Sequence, residues 1–172
     1  MTVHTGTDAL PLTAEAFRSV FRHHAAGVAV VTAHVGRPAG FTATSLSSVA
    51  AVPPTVSFSM STSSSSWPVF QDASHVGVHI LSESQRDLAA TFATTGSDRF
   101  AAPTRWRRGP WGVPVLDGVL AWLVCRVETT VPAGEHRLIV ARAVAAEPRP
   151  GGRPLLYHDR AYARLGDGEP RT

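Results

Sequence analysis

Residues 40–58 read GFTATSLSSVAAVPPTVSF. The first half is dense in hydroxyls: Thr42, Thr44, Ser45, Ser47 and Ser48 fall close together with no charged residue among them. An extended segment of this kind presents side-chain O–H donors and backbone N–H groups together, which binds an anionic group without lysine or arginine. Val52-Pro53-Pro54 ends that strand, because two prolines cannot donate to a sheet ladder. Thr55 to Met60 then alternates, with Val56, Phe58 and Met60 on one face and Thr55, Ser57 and Ser59 on the other. A second hydroxyl run, Ser61-Thr62-Ser63-Ser64-Ser65-Ser66, leads into Trp67-Pro68-Val69-Phe70. A short helix around Pro68 to Gln71 would add free N–H groups to a second anion-friendly surface. On composition alone, both runs also read as ordinary Ser/Thr-rich turns.

On the N-terminal side, Thr13 reads as the N-cap of a one-faced helix carrying Phe17, Val20 and Phe21, with Glu15 near its positive end. Val28 to Ala33 is an apolar, β-branched run and reads as a buried strand. Gly36-Arg37-Pro38 turns it back into the hydroxyl-rich strand. On the C-terminal side, His75 to Ile80 alternates, with Val76, Val78 and Ile80 as the apolar face. Ser82-Glu83-Ser84-Gln85 is a capping-box pattern for a helix buried at Leu88 and Phe92. Thr94 to Gly112 reads as a long loop holding Arg99, Phe100, Trp106 and Trp111, and loops of that length are often functional. Two long strands follow, Gly118 to Thr130 and Arg137 to Ala146, the second opened by Gly134-Glu135-His136; Leu155 to His158 is a last short strand. Leu120, Trp122 and Val124 make one strand face too apolar to leave wet, so a helix or a second subunit should cover it.

Many strands with few peripheral helices point to a mainly-β, closed barrel, and the apolar strand face to a homodimer. The expected organisation is a flexible extension over residues 1–12, one domain over 13–165 and a disordered tail over 166–172. At 44% hydrophobic and 17% charged residues, the chain of 172 residues is globular and carries a real core. No apolar run approaches the roughly 20 residues that span a bilayer, and the first residues carry no secretory pattern. The single cysteine, Cys125, excludes an internal disulfide and fits a reducing cytoplasm. The net charge of +3 rests on 16 arginines and no lysine. Only Arg105-Trp106-Arg107-Arg108 clusters, which is too short for a nucleic-acid footprint and reads as a solvated loop.

Several chemistries are excluded by missing motifs. No GxGxxG follows a strand, no P-loop appears and no GxSxG elbow is present. His75 and His79 lie about 13 Å apart on a strand face, too far to share one ion, so no metal site is expected. His136, at a strand entrance beside Glu135, can have its ring oriented or its pKa raised by that neighbour; in isolation it also reads as an exposed strand-end histidine.

The succession of GFTATSLSSVAAVPPTVSF, a serine turn leading to WPVF, Asp98-Arg99-Phe100 and Gly134-Glu135-His136 resembles the short-chain flavin reductases, over roughly Phe17 to Leu165. These are the reductase partners of two-component flavin-dependent monooxygenases. The resemblance implies an FMN-binding, Greek-key split β-barrel, homodimeric and cytoplasmic, that transfers a hydride from NADH or NADPH to FMN or FAD. It implies a first flavin segment at Thr42, Ala43, Thr44 and Ser45, with Ser48 and Val49 near the ring. It also implies a phosphate-holding turn at Ser61, Thr62, Ser63 and Ser65, with Phe100 close to the isoalloxazine. The family often shows Gly-Asp-His where this chain has Gly-Glu-His, and its histidine is associated with the nicotinamide. His136 is therefore expected to position the nicotinamide and not to act as a general base. Without a basic neighbour in sequence, the serine turn predicts weak flavin retention. The same barrel also serves a flavin carrier or sensor without turnover, or an FMN-dependent oxidase acting directly on an organic substrate.

Overall fold

The computed structural model describes residues 11–166, so the extension expected over 1–12 and the tail expected over 166–172 fall almost wholly outside the described residues. In chain order the elements are α1 (Ala14–Phe21), β1 (Ala26–Gly27), β2 (Ala29–Val35), β3 (Arg37–Ala43), β4 (Ser47–Ala51), β5 (Pro54–Ser61) and α2 (Trp67–Phe70). There follow β6 (His75–Ile80), α3 (Arg86–Ala93), β7 (Trp106–Arg108), β8 (Pro114–Leu116), β9 (Ala121–Ala133), β10 (His136–Pro148), β11 (Leu156–His158) and β12 (Ala161–Ala163). The protein is mainly β with few helices.

The main sheet has seven antiparallel strands in the order β3-β2-β6-β9-β10-β5-β4. It is strongly curled. In a flat sheet β3 and β5 would stand about 24 Å apart, five strand spacings. Instead the rings of Phe41 on β3 and Phe58 on β5 meet at 6.2 Å between centroids. The concave interior holds Val31, Phe58, Met60, Val76, Val78, Cys125 and Ile139, with Val69 and Phe70 supplied by α2. The alternation of Thr55 to Met60 is realised, since Val56, Phe58 and Met60 point into this core. Burial pushes the Cys125 thiol up to about 12, so it is inert packing material.

The face carrying Trp122 and Val124 is also covered, and by the same chain. Ala89 and Phe92 of α3, Val113, Val115, Leu116, Val119 and Leu155 close over it together with Val28 and Val30. The apolar face that suggested a second subunit is thus satisfied within one chain. An apolar stripe left open among the described residues is that of α1. Thr13 caps this helix as the sequence indicates, its Oγ1 accepting from Ala16 N–H at 3.1 Å, but the helix buries none of its residues.

Three further expectations need correction. The loop after α3 contains strand β7, paired with β8, so the Arg105–Arg108 cluster is partly strand and Trp106 packs on the second core. The strand β12 was not anticipated; it pairs with β11. In β6 both faces are buried, not the one carrying Val76, Val78 and Ile80 alone: Val76 and Val78 pack into the concave core, and Val113 lies against the opposite face at Gly77. A methyl at Gly77 would lie 2.6 Å from Thr32 Oγ1, and His79 is fully buried.

His79 gives this core a buried group that titrates in acid. Its Nδ1 lies 3.0 Å from the Val30 carbonyl, its Nε2 has no partner among the described residues, and burial holds its pKa down at about 4. Unfolded, the ring takes a proton near 6.5, so the unfolded chain binds more protons between the two values. The contribution is fully present above pH 6.5 and is lost as the pH falls to about 4, a change on the order of 3 kcal/mol. Chemical denaturation of wild type and His79→Gln across pH 4–7 is expected to show a shallower decline in the variant; parallel profiles would contradict this.

Candidate functional site

The site begins with a strand register. β10 pairs with β5 so that His136 stands opposite Ser61, the last residue of β5 and the first of the serine run. The two-residue turn Gly134-Glu135 joins β9 to β10, and Gly134 takes the φ of +58° that such a tight hairpin favours in glycine. Thr62 locks the two turns together: its N–H (2.9 Å) and its Oγ1 (3.0 Å) both donate to the Glu135 carbonyl. Glu135 thus acts on this region through its backbone, and among the described residues no bond joins its carboxylate to the His136 ring.

The serine turn folds on its own hydroxyls. Ser61 and Ser63 share a hydrogen bond of 2.8 Å, Ser63 N–H donates to Ser61 Oγ, and Ser66 N–H donates to Ser64 Oγ. Buried Ser66 donates its hydroxyl to Gly40 O at 2.8 Å, pinning the turn to β3. On the other side, Thr42 Oγ1 donates to Ala89 O at 2.6 Å and ties β3 to α3. Gly40 permits that approach, since a methyl there would lie 2.7 Å from Phe92 Cε1. Ser45 Oγ accepts from Ser59 N–H at 2.9 Å, joining the β3–β4 link to β5.

Between these elements runs a cleft of about 440 Å³, lined by Phe41 to Ser45, Ser59 to Ser61, Ser63, Ser64, Phe92, Ala93, Thr95, Arg99 and His136. Arg99 is the residue the sequence undervalues. Its Nη1 donates to Ser66 Oγ at 2.7 Å and more weakly to Ser65 Oγ at 3.4 Å, and its Nη2 donates to Thr94 O at 2.9 Å. The serine turn therefore has a basic neighbour after all, delivered by the loop after α3. All these acceptors are neutral oxygens, Nε has no partner among the described residues, and burial holds the guanidinium pKa down. A partly buried cation with no carboxylate partner among the described residues, set against a turn of hydroxyls, has the chemistry to receive an anion.

The cleft gathers most of the residues singled out in the sequence: Thr42, Ala43, Thr44, Ser45, Ser61, Ser63 and His136. Thr62 stands behind it, engaged with Glu135. Ser48 and Val49 lie on the edge strand β4, exposed and outside the cleft lining of a single chain. Ser65 and Phe100 border the neighbouring hollow. The Phe100 ring packs edge-on between Phe92 and Trp106, at 5.3 and 5.4 Å between centroids, so that Phe92 and not Phe100 reaches the cleft. Among the described residues no three His, Cys, Asp or Glu side chains come together as a metal would need.

A family model described as a flavin reductase like domain matches residues 21–166. The chain belongs to that family. It is 41% identical over 153 residues to the NADH:FMN oxidoreductase of Rhodococcus qingshengii, a match covering 86% of this chain and 80% of that protein. It is 38% identical over 149 residues to the reductase component of 4-nitrophenol 4-monooxygenase/4-nitrocatechol 2-monooxygenase of Rhodococcus opacus, covering 86% of this chain and 79% of the other. Among solved structures, a flavin reductase domain protein from Arthrobacter sp. FB24 superposes with a TM-score of 0.86 at 38% identity, covering 91% of this chain and 98% of that one.

A flavin phosphate fits the donors found here. A charge-assisted hydrogen bond contributes about 1.5–3 kcal/mol, roughly 10- to 100-fold in affinity. Arg99→Gln is expected to weaken FMN by that factor while changing riboflavin, which lacks the phosphate, far less. Ser63→Ala removes one neutral hydroxyl and should cost FMN up to about tenfold with the same selectivity. Equal losses for FMN and riboflavin in titrations would exclude the phosphate role.

Proposed function

We propose that the chain is an NAD(P)H-dependent flavin reductase that passes reduced flavin to a separate monooxygenase. The observation that carries the reading is the meeting, in one cleft, of a hydroxyl turn, His136 and Arg99, which has no ion pair among the described residues. Bound flavin supplies the chemistry, as acceptor of a hydride from the reduced nicotinamide. The protein's part is positioning. Ser61, Ser63 and Arg99 hold the phosphate end, and Thr42 to Ser45 line the ribityl and ring end. Ser48 and Val49 on β4 lie toward the ring's outer side, and Phe100 acts at one remove, by backing Phe92. His136, across from Ser61, orients the nicotinamide and takes no proton.

The curled seven-stranded sheet supports the Greek-key split-barrel type of the fold, and the buried lone cysteine is in keeping with a cytoplasmic location. A homodimer is supported by α1, although not by the strand face first suspected. Phe17, Val20 and Phe21 are 50%, 66% and 53% exposed, and a helix of eight residues with no buried side chain needs a second surface to hold it. Light scattering at micromolar concentration is expected to give the mass of a dimer, and a monomer mass would contradict this.

Added FMN or FAD is expected to make the purified protein oxidise NADH or NADPH continuously. Tightly held flavin with no response to either nicotinamide would instead mark a carrier or an oxidase. His136→Ala should lower kcat/KM for the nicotinamide about tenfold, the loss of one ordinary hydrogen bond, against the larger loss that a general acid or base would give. Flavin affinity is the control: a variant that binds flavin poorly yet reduces it normally once bound would move His136 to the flavin side.

A further inference from the structure

A second cavity, of about 560 Å³, is larger than the cleft and shares no lining residue with it. Its volume falls within the roughly 300–1,000 Å³ of small-molecule sites. The helix α3 contributes to both, giving Asp87 and Leu88 to this cavity, and Phe92 and Ala93 to the cleft. The other walls come from the chain before β7, the turn after β8 and the residue after β10, with Pro103, Arg105, Asp117 and Arg149.

These walls are tied together. Gln85 Nε2 donates to Asp117 O at 3.3 Å, Asp117 N–H to Arg105 O at 3.0 Å, and Arg149 N–H to Leu120 O at 2.7 Å. The protein's own hydrogen bonds fix the site, which spares a ligand the cost of ordering it.

Four charged side chains line the cavity, two of each sign. Arg105 and Asp117 answer each other, Nε to Oδ2 at 3.9 Å. The Asp87 carboxylate and the Arg149 guanidinium have neither a hydrogen bond nor an ion pair among the described residues. The helix dipole accounts for a carboxylate in the first turn of α3. It does not account for an unpaired arginine at the same cavity. A lone anion would meet two carboxylates here, and a lone cation two guanidiniums. A molecule bearing one charge of each sign can set each against its opposite, while Leu88 and Pro103 offer apolar surface to its body.

We propose that this cavity is a second ligand site, for a small zwitterion of the amino-acid class. Its carboxylate meets Arg149, its ammonium meets Asp87, and its apolar side chain lies on Leu88 and Pro103. None of these four residues lines the cleft, so the site is independent of the flavin reading.

Three probes share one apolar body: L-phenylalanine carries both charges, hydrocinnamate the carboxylate alone and phenethylamine the ammonium alone. In calorimetric titrations of the full-length protein at pH 7, L-phenylalanine is expected to bind at one site per chain. Each single-charge probe should bind about tenfold more weakly, the loss of one charge-assisted contact. Arg149→Gln should weaken L-phenylalanine about tenfold and leave phenethylamine unchanged. Asp87→Asn should weaken it equally and spare hydrocinnamate. Both side chains are exposed, and unchanged far-UV circular dichroism checks that each variant is folded. The probe comparison on the wild-type protein stands without the variants. Equal affinity for the three probes, no binding of L-phenylalanine at millimolar concentration, or wild-type binding in both variants would overturn the site. Competition between L-phenylalanine and FMN would place the probe in the cleft and overturn it too.

Discussion

The pairing of β10 with β5 is the constraint on which the site depends. It sets His136 opposite Ser61, although the two are far apart in sequence, and Thr62 then fastens the serine turn to the β9–β10 turn through two hydrogen bonds to one carbonyl. A slip of one residue would turn every β10 side chain to the other face of the sheet. Ile139 and Ala141, buried in the core, resist that slip, as do Val56, Phe58 and Met60 on the partner strand. The core therefore fixes the geometry of a largely exposed cleft. This division suits a reductase whose ligands come and go: rigidity comes from the sheet, and the binding groups sit on its turns.

Electrostatics at the cleft follow from what is missing. Among the described residues Arg99 is bonded only to hydroxyl and carbonyl oxygens, which leaves its charge available to an anionic ligand. Had a carboxylate paired with it, the serine turn would offer only neutral donors, roughly half as strong for a phosphate. The same residue ties the loop after α3 to the serine turn, and Trp106 Nε1, donating to Phe100 O at 3.1 Å, steadies that loop from behind.

Much of this was legible in the sequence because it is local. The alternation of Thr55 to Met60, the Thr13 cap and the proline break after β4 each depend on residues within a few positions of one another, and each stands in the structure. The order of hydroxyl segments, serine turn and Gly-Glu-His was enough to identify the family. What escaped depends on contacts between distant segments. Arg99 was read as part of a loop, and its approach to Ser66 arises only when the chain after α3 folds back over β3. The cover on the Trp122 face is likewise assembled from α3, β8 and Leu155, none of which announces that role by its own pattern. Asp98-Arg99-Phe100 was already noted as a motif, and a lone arginine beside hydroxyl-rich segments was the available clue.

The most direct test is a crystal structure of the protein with FMN bound. The phosphate is expected within hydrogen-bonding distance of the Ser61–Ser66 turn and of Arg99, with the ring extending along Thr42 to Ser45 and His136 open to the nicotinamide side. A flavin seated outside this cleft, or one whose phosphate lies away from Arg99 and the serine turn, would contradict the account.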